Sequence, residues 1–256
     1  MYEKVDEFLY NIKLIETINF KAIPFLRSFG YNAVKTENFT DIMIFGKINY
    51  LNLLPFHIFI KKYMKHSQQK SMVHYKKGVP SEVNKAFKQR RVDAAFVSSV
   101  ETKKYQSIDL GIVAKKEVLS VLVIPGEMQD DKASATSNVL ARRLGVKGRV
   151  LIGDAALKHH LEFHNGVDLA KLWHDKHRLP FVFAKLCYHK KGLYLKKLSR
   201  TFLNKEIKIP QYLLKKASLE TGIAVKDISY YLSKISYEID PHAKRSLKKF
   251  LKKPRS

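Results

Sequence analysis

Apolar and polar positions alternate through Gly46-Lys47-Ile48-Asn49-Tyr50-Leu51, after which the chain meets Asn52, Leu53-Leu54, Pro55 and Phe56. A period of two predicts a half-buried strand over residues 44–51. A strand that runs into a polar loop is where α/β proteins place their chemistry. Helical spacing follows over 56–65, and a second strand is predicted over 71–76. Val79-Pro80-Ser81-Glu82-Val83 then opens a helix. Residues 92–97 read as a buried strand ending in the polar pair Ser98 and Ser99, followed by Val100 and Glu101.

Two further strands are predicted over 110–114 and 118–124, separated by the charged turn Lys115-Lys116-Glu117. The hydroxyl cluster in Ala133-Ser134-Ala135-Thr136-Ser137-Asn138 leads into a helix over 139–144. Residues 150–152 form a strand that Gly153 turns, with Asp154 capping a helix that runs to about Leu161. The last predicted strand covers 180–186. Beyond Tyr194 the pattern predicts helices alone, separated near Pro210, Gly222 and Pro241.

Strands alternating with helices predict an α/β fold. The chain crosses out of one α/β segment near Ser120 and returns near Phe183, which predicts two lobes with a cleft between them. The expected division is 43–121 plus 184–256 for one lobe and 122–183 for a reduced second lobe. Residues 1–42 are an N-terminal extension. They contain an amphipathic helix (Val5, Phe8, Leu9, Ile12, Leu14, Ile15) and a mixed segment broken by Pro24 and Gly30.

With 256 residues and 45% hydrophobic content the chain has enough apolar material for a full core. Its one cysteine, Cys187, cannot pair within the chain, which favours a reducing compartment. No apolar run approaches the roughly 18 residues of a membrane span. Glu3, Asp6, Glu7 and Glu16 stand where an export signal needs basic and then apolar residues, so the expected location is the cytoplasm.

The formal charge of +25 raises nucleic acid as a partner, but the lysines are scattered along the chain. In the densest run, 244–255, Leu247, Phe250 and Leu251 fall at helical spacing, so this is an amphipathic helix with a solvated basic face. No nucleic-acid motif accompanies the charge, and no specific nucleic-acid partner is expected. His159, His160, His164, His174 and His177 lack a completing carboxylate or thiol at motif spacing, and no metal site is expected. Phosphate-loop, dinucleotide, nucleophile-elbow and zinc-protease motifs are missing too.

The candidate chemistry therefore lies in amides and hydroxyls. Ser134, Thr136 and Ser137 stand at a helix N-terminus, where free N–H groups favour an anion; an ordinary cap explains at least one of them equally well. Asn52 can donate to and accept from a bound hydroxyl or carboxylate, or it can satisfy its own loop. Ser120 is a lone serine in an apolar run. Ser98 and Ser99 with Glu101 form a capping arrangement that also faces the expected cleft, while Gly153 and Asp154 look structural first, as a tight turn and a cap.

Residues 46–56, together with Leu151-Ile152-Gly153-Asp154-Ala155-Ala156-Leu157 and Leu179-Pro180-Phe181-Val182-Phe183-Ala184, resemble the chorismate dehydratases of the futalosine route to menaquinone. The resemblance spans 43–256. It implies a two-lobed fold similar to type II periplasmic binding proteins and a cofactor-independent lyase that turns chorismate into 3-[(1-carboxyvinyl)oxy]benzoate. By position it implies catalytic roles for Asn52 and Ser120, and a substrate-binding set of Ser98, Ser99, Ser134, Thr136, Ser137, Gly153 and Asp154. Because it begins at Met43, residues 1–42 are either an extra element or lie upstream of an alternative start. Two alternatives stay open: a solute-binding protein of the same fold, which should carry an export signal, and the sibling enzyme that releases dihydroxynaphthoate, whose asparagine motif is not seen near the N-terminus.

Overall fold

The computed structural model describes residues 43–65 and 73–252, so the expectations for residues 1–42 and the start of the strand predicted at 71 lie outside the described residues. Two sheets carry the fold. The larger has six strands in the order β2-β1-β3-β8-β4-β9: β1 (Met43–Lys47), β2 (Val73–Lys77), β3 (Ala94–Ser98), β4 (Gln106–Ala114), β8 (Phe181–Tyr188) and β9 (Ile235–Glu238). The smaller has three in the order β6-β5-β7: β5 (Val121–Ile124), β6 (Arg149–Ile152) and β7 (Val167–Asp168). Strand β1 is parallel to β2 and β3, whereas β8 pairs antiparallel with β3 and β4. The chain thus enters the small sheet at Val121 and rejoins the large one at Phe181.

The strand predicted over 44–51 stops at Lys47. A 3₁₀ turn, Leu51–Leu53, replaces its end, with Leu53 N donating to the Tyr50 carbonyl at 3.0 Å. This turn buries Leu51 and Leu53 together, which an alternating strand would put on the same face only by leaving Asn52 on the opposite one. Pro55 then occupies the first turn of helix α1 (Leu54–Lys65), where its missing N–H costs nothing. Helix α2 (Pro80–Lys88) starts in the same way, and Glu82 Oε2 accepts from Val79 N at 3.1 Å.

Around the small sheet lie α3 (Ala135–Leu144), α4 (Gly153–Phe163) and α5 (Leu169–His177). After β8 come α6 (Gly192–Leu203), α7 (Gln211–Thr221), α8 (Val225–Ser233) and α9 (Pro241–Leu251). The region expected to be helical throughout also contains β9, antiparallel to β4. Its apolar Ile235 and Tyr237 alternate with Ser236, a short period-two signal overshadowed by the helices on either side.

The core behind the cleft is aromatic. Phe56 meets Phe96 edge-on at 5.0 Å and Phe202 at 5.3 Å, and Phe202 meets Tyr237 at 5.1 Å. The basic C-terminal helix α9 buries Phe250 against Phe181 at 4.9 Å and Trp173 at 5.8 Å, while Trp173 Nε1 donates to Ser246 Oγ at 2.9 Å. Because Trp173 belongs to α5 and Phe181 to β8, this helix fastens the small-sheet layer to the large sheet. Its lysines face outward, as the pattern predicts. Among the described residues no helix is long and apolar enough to cross a membrane.

Gly111 sits at an irregularity in the β4–β8 pairing, where a Cβ would collide with the Ala184 carbonyl oxygen and lie 2.8 Å from Ile239 Cδ1. Overpacking of this kind costs about 1–3 kcal/mol. Gly111→Ala is therefore expected to lower the melting temperature, by roughly 2–4 °C for each kcal/mol in a chain of this size. A melting curve unchanged from the parent would contradict that packing.

Candidate functional site

The two sheets face each other across a cleft of about 600 Å³, counting open solvent at its mouth. From the large-sheet side it is lined by Ile48, Tyr50, Asn52, Leu53, Pro80, Phe96, Ser98, Ile112, Phe183 and Ala184. From the crossing and the small-sheet side come Val118, Ser120, Val121, Ser134, Ser137, Ile152 and Gly153. Among these there is no carboxylate, imidazole, ammonium or guanidinium. Asn52 follows β1 and Ser98 closes β3, so two parallel strands deliver polar residues at their carboxyl ends, the usual ligand position in α/β sheets.

Ser120 does not lie within a strand, as the apolar run suggests, but one residue before β5. Its neighbour Leu119 has φ +60°, a left-handed conformation unfavourable for a branched side chain. Asp168 holds this bend. Its Oδ2 accepts from Val118 N and Leu119 N at 2.9 and 2.7 Å, and its Oδ1 accepts from Ala170 N and Lys171 N at 2.9 and 3.0 Å, capping α5. Burial pushes the Asp168 carboxyl up and the four N–H donors pull against that shift.

With the bend fixed, the Ser120 carbonyl accepts from Gly153 N at 2.8 Å, and its side chain, 1% exposed, meets the Tyr231 hydroxyl at 2.9 Å. Burial pushes the Tyr231 phenol up, and the nearby Asn52 side chain opposes that rise. The Tyr237 hydroxyl of β9 donates to the Asn52 carbonyl at 2.6 Å. Asn52 and Ser120, predicted separately from distant segments, are thus brought near one tyrosine. The sequence reading missed both tyrosines. Ile228 and Tyr231, three apart on α8, signal a buried helix face and nothing more specific.

Ser134 caps α3, its Oγ accepting from Ser137 N at 3.2 Å and donating to Ser137 Oγ at 2.8 Å, and both hydroxyls border the cleft. Thr136 does not line it: its Oγ1 accepts from Val100 N at 3.4 Å, tying α3 to the 3₁₀ turn Ser99–Lys104. Ser98 lines the cleft, held by Asn84, whose Nδ2 donates to its Oγ at 2.8 Å and whose Oδ1 accepts from its N at 3.3 Å. Ser98 occupies the N-cap position of that turn but makes no side-chain cap, which corrects the expected capping arrangement. Ser99 is wholly buried, with Oγ donating to the Val182 carbonyl at 2.6 Å, because it packs over β8 and not toward the cleft.

Gly153 has φ +67°, and a Cβ there would lie 2.8 Å from the Tyr50 ring, so glycine lets α4 begin directly under that aromatic. Asp154 is not the cap of α4, whose N-cap position is Ile152. Its Oδ1 accepts from Leu51 N at 3.0 Å, linking the small-sheet helix to the turn that carries Asn52. Cysteine chemistry is not part of this site. Burial pushes the Cys187 thiol up to about 12, leaving it inert. Among the described residues no group of histidines, cysteines or carboxylates could hold a metal ion.

A family profile described as menaquinone biosynthesis matches residues 43–145 and 135–255. A Campylobacter jejuni protein named chorismate dehydratase is 48% identical over 216 residues, covering 82% of this chain and 96% of its own length. Among solved structures, a protein of Archaeoglobus fulgidus aligns with a TM-score of 0.64 at 11% identity, over 83% of this chain and 96% of its own. An ABC transporter structure from Parabacteroides distasonis aligns at 0.51 and 14% identity, over 82% and 90%. At such identities the structural likeness concerns the fold alone, two sheets with a cleft between them.

Burial raises the Asp154 carboxyl to about 6, with the Leu51 N–H opposing the shift. The folded protein therefore holds this proton more tightly than the unfolded chain. Between about pH 4 and pH 6 the ionising carboxylate lowers stability as pH rises, by at most about 3 kcal/mol. In Asp154→Asn the amide oxygen still accepts from Leu51. The variant should melt progressively higher relative to the parent from pH 4 to pH 7, and a constant difference across that window would rule out the raised carboxyl.

Proposed function

The chain belongs to the menaquinone-biosynthesis family, and on that premise we propose that it dehydrates chorismate to 3-[(1-carboxyvinyl)oxy]benzoate in the cleft between the two sheets. The observation that carries this reading is a cleft bordered by an amide and several hydroxyls, with no carboxylate, imidazole or amine among its described lining residues, in which Tyr231 backs Ser120 and Tyr237 holds the Asn52 backbone. The name of the 48%-identical relative favours the lyase over the solute-binding and dihydroxynaphthoate-releasing alternatives.

The reaction suits such a site. A proton leaves the ring carbon that bears the ether and hydroxide leaves the neighbouring carbon. The electron pair of the broken C–H bond completes the aromatic ring, and proton and hydroxide depart as one water. Aromatisation supplies the drive, so the protein chiefly orients the substrate, stabilises charge and excludes water. The step balances without a cofactor. In this mechanism the substrate's side-chain carboxylate takes the proton, while Asn52 and Ser120 hold that carboxylate and the departing hydroxyl.

Ser134 and Ser137, at the N-terminus of α3, grip the other carboxylate, and Ser98 borders the ring. Gly153 shapes the floor under Tyr50. Ser99, Thr136 and Asp154 serve the site indirectly, by fixing the strands, turn and helices that present the others. Movement of the 122–183 lobe against 43–121 and 184–256 closes the cleft and removes water. The single buried cysteine suits a reducing compartment, and we infer the cytoplasm as the place of action.

Purified protein incubated with chorismate should yield a species lighter by one water with the ultraviolet spectrum of a substituted benzoate, followed by liquid chromatography and mass spectrometry. Chorismate left unchanged by folded protein would refute the assignment. Asn52→Ala and Ser120→Ala should each lower kcat by about 100-fold, the scale of losing one transition-state hydrogen bond, with melting temperatures near the parent's. Near-parental turnover in both would refute their roles.

A further inference from the structure

Tyr231 is fully buried on α8 and does not line the cleft, yet its hydroxyl meets Ser120, on which the proposed reaction depends. A phenol has one proton to give and lone pairs to receive. The phenol gives that proton to Ser120 Oγ at 2.9 Å. Burial pushes the tyrosine well above its ordinary range, which keeps that proton in place. An unsatisfied phenol in this enclosed position would be costly, so the contact is strongly specified.

The direction of this bond decides what Ser120 can do. Its oxygen already accepts from Tyr231, and its own proton has no acceptor among the described residues while the side chain borders the cleft. A serine acting as a base would need the reverse: a free lone pair toward the substrate and an acceptor behind it for its proton. Behind Ser120 stands the Tyr231 hydroxyl, which donates to it.

We propose that Tyr231 is a positioning residue whose hydroxyl donates to Ser120 Oγ and leaves the serine proton to the cleft, so that Ser120 donates to the oxygen leaving the substrate and does not act as the base. The inference rests on the lyase reading and adds to it a residue outside the cleft and a direction for the serine hydroxyl. It also defines the substrate class: a ring whose leaving group is an oxygen able to accept a hydrogen bond.

The test is a double-mutant cycle on the full chain with Tyr231→Phe, Ser120→Ala and both together, following chorismate turnover and melting temperature. Phenylalanine keeps the ring and removes only the hydroxyl. Tyr231→Phe alone should lower kcat by about 10- to 100-fold with KM little changed, yet change kcat by less than about 3-fold when Ser120 is already alanine. Equal losses in both backgrounds, or parental kcat in Tyr231→Phe, would overturn the proposal while leaving the lyase standing. A parent protein that leaves chorismate unchanged would overturn the lyase reading and this inference with it. Should Tyr231→Phe fail to fold, Ser120→Cys decides: its thiol is a poor donor, so kcat should fall toward the Ser120→Ala level, and parental kcat would overturn the donor role.

Discussion

Four backbone N–H groups converge on the Asp168 carboxylate, two from the chain leaving the large sheet and two from the first turn of α5. A left-handed leucine costs about 1–2 kcal/mol, and hydrogen bonds to an ionised acceptor are the strong kind that can hold it. Much of the site rests on this bend. Ser120 leaves it with its carbonyl turned to Gly153 N and its hydroxyl turned to Tyr231, so the start of α4, the close approach of Tyr50 and the contact with Tyr231 share one anchor. The carboxylate stands outside the cleft lining, and its effect is on where other groups point.

That arrangement explains how a site with no carboxylate, imidazole, ammonium or guanidinium in its described lining can favour one reaction. The cleft walls are largely apolar, from Ile48, Phe96, Ile112 and Phe183, and water leaving such a space strengthens each remaining hydrogen bond. Asn52 and Ser120 are held from behind by Tyr231 and Tyr237, while Ser134 and Ser137 sit at a helix N-terminus across from them. Fixed dipoles stabilise a charged substrate without reorganising, and a reaction driven by aromatisation asks for little more. The net charge of +25 favours the approach of the anionic substrate proposed for it.

Local pattern carried much of this in the sequence. The serines at the N-terminus of α3 and the amphipathic C-terminal helix follow from short-range periodicity and capping, and the structure has them there, whereas the strand expected to run up to Asn52 stops at Lys47 and leaves that residue in a 3₁₀ turn. What the pattern could not express were contacts between distant segments. Tyr231 reaches Ser120 across 111 residues and Tyr237 reaches Asn52 across 185, while on their own elements both look like ordinary buried aromatics. Asp154 has the local signature of a cap and instead serves Leu51, 103 residues away. Ser99 and Thr136 share composition with cleft neighbours but spend their hydroxyls on backbone groups, a choice made by packing. Strand β9 was hidden because four residues between two helices carry too little periodicity to outweigh them.

The most direct measurement of the central claim is a crystal structure of the protein with 3-[(1-carboxyvinyl)oxy]benzoate bound. The account predicts the product in the cleft between the sheets, one carboxylate within about 3 Å of Asn52 and Ser120 and the other at Ser134 and Ser137. Product bound elsewhere, or in the cleft with neither Asn52 nor Ser120 in reach, would contradict it.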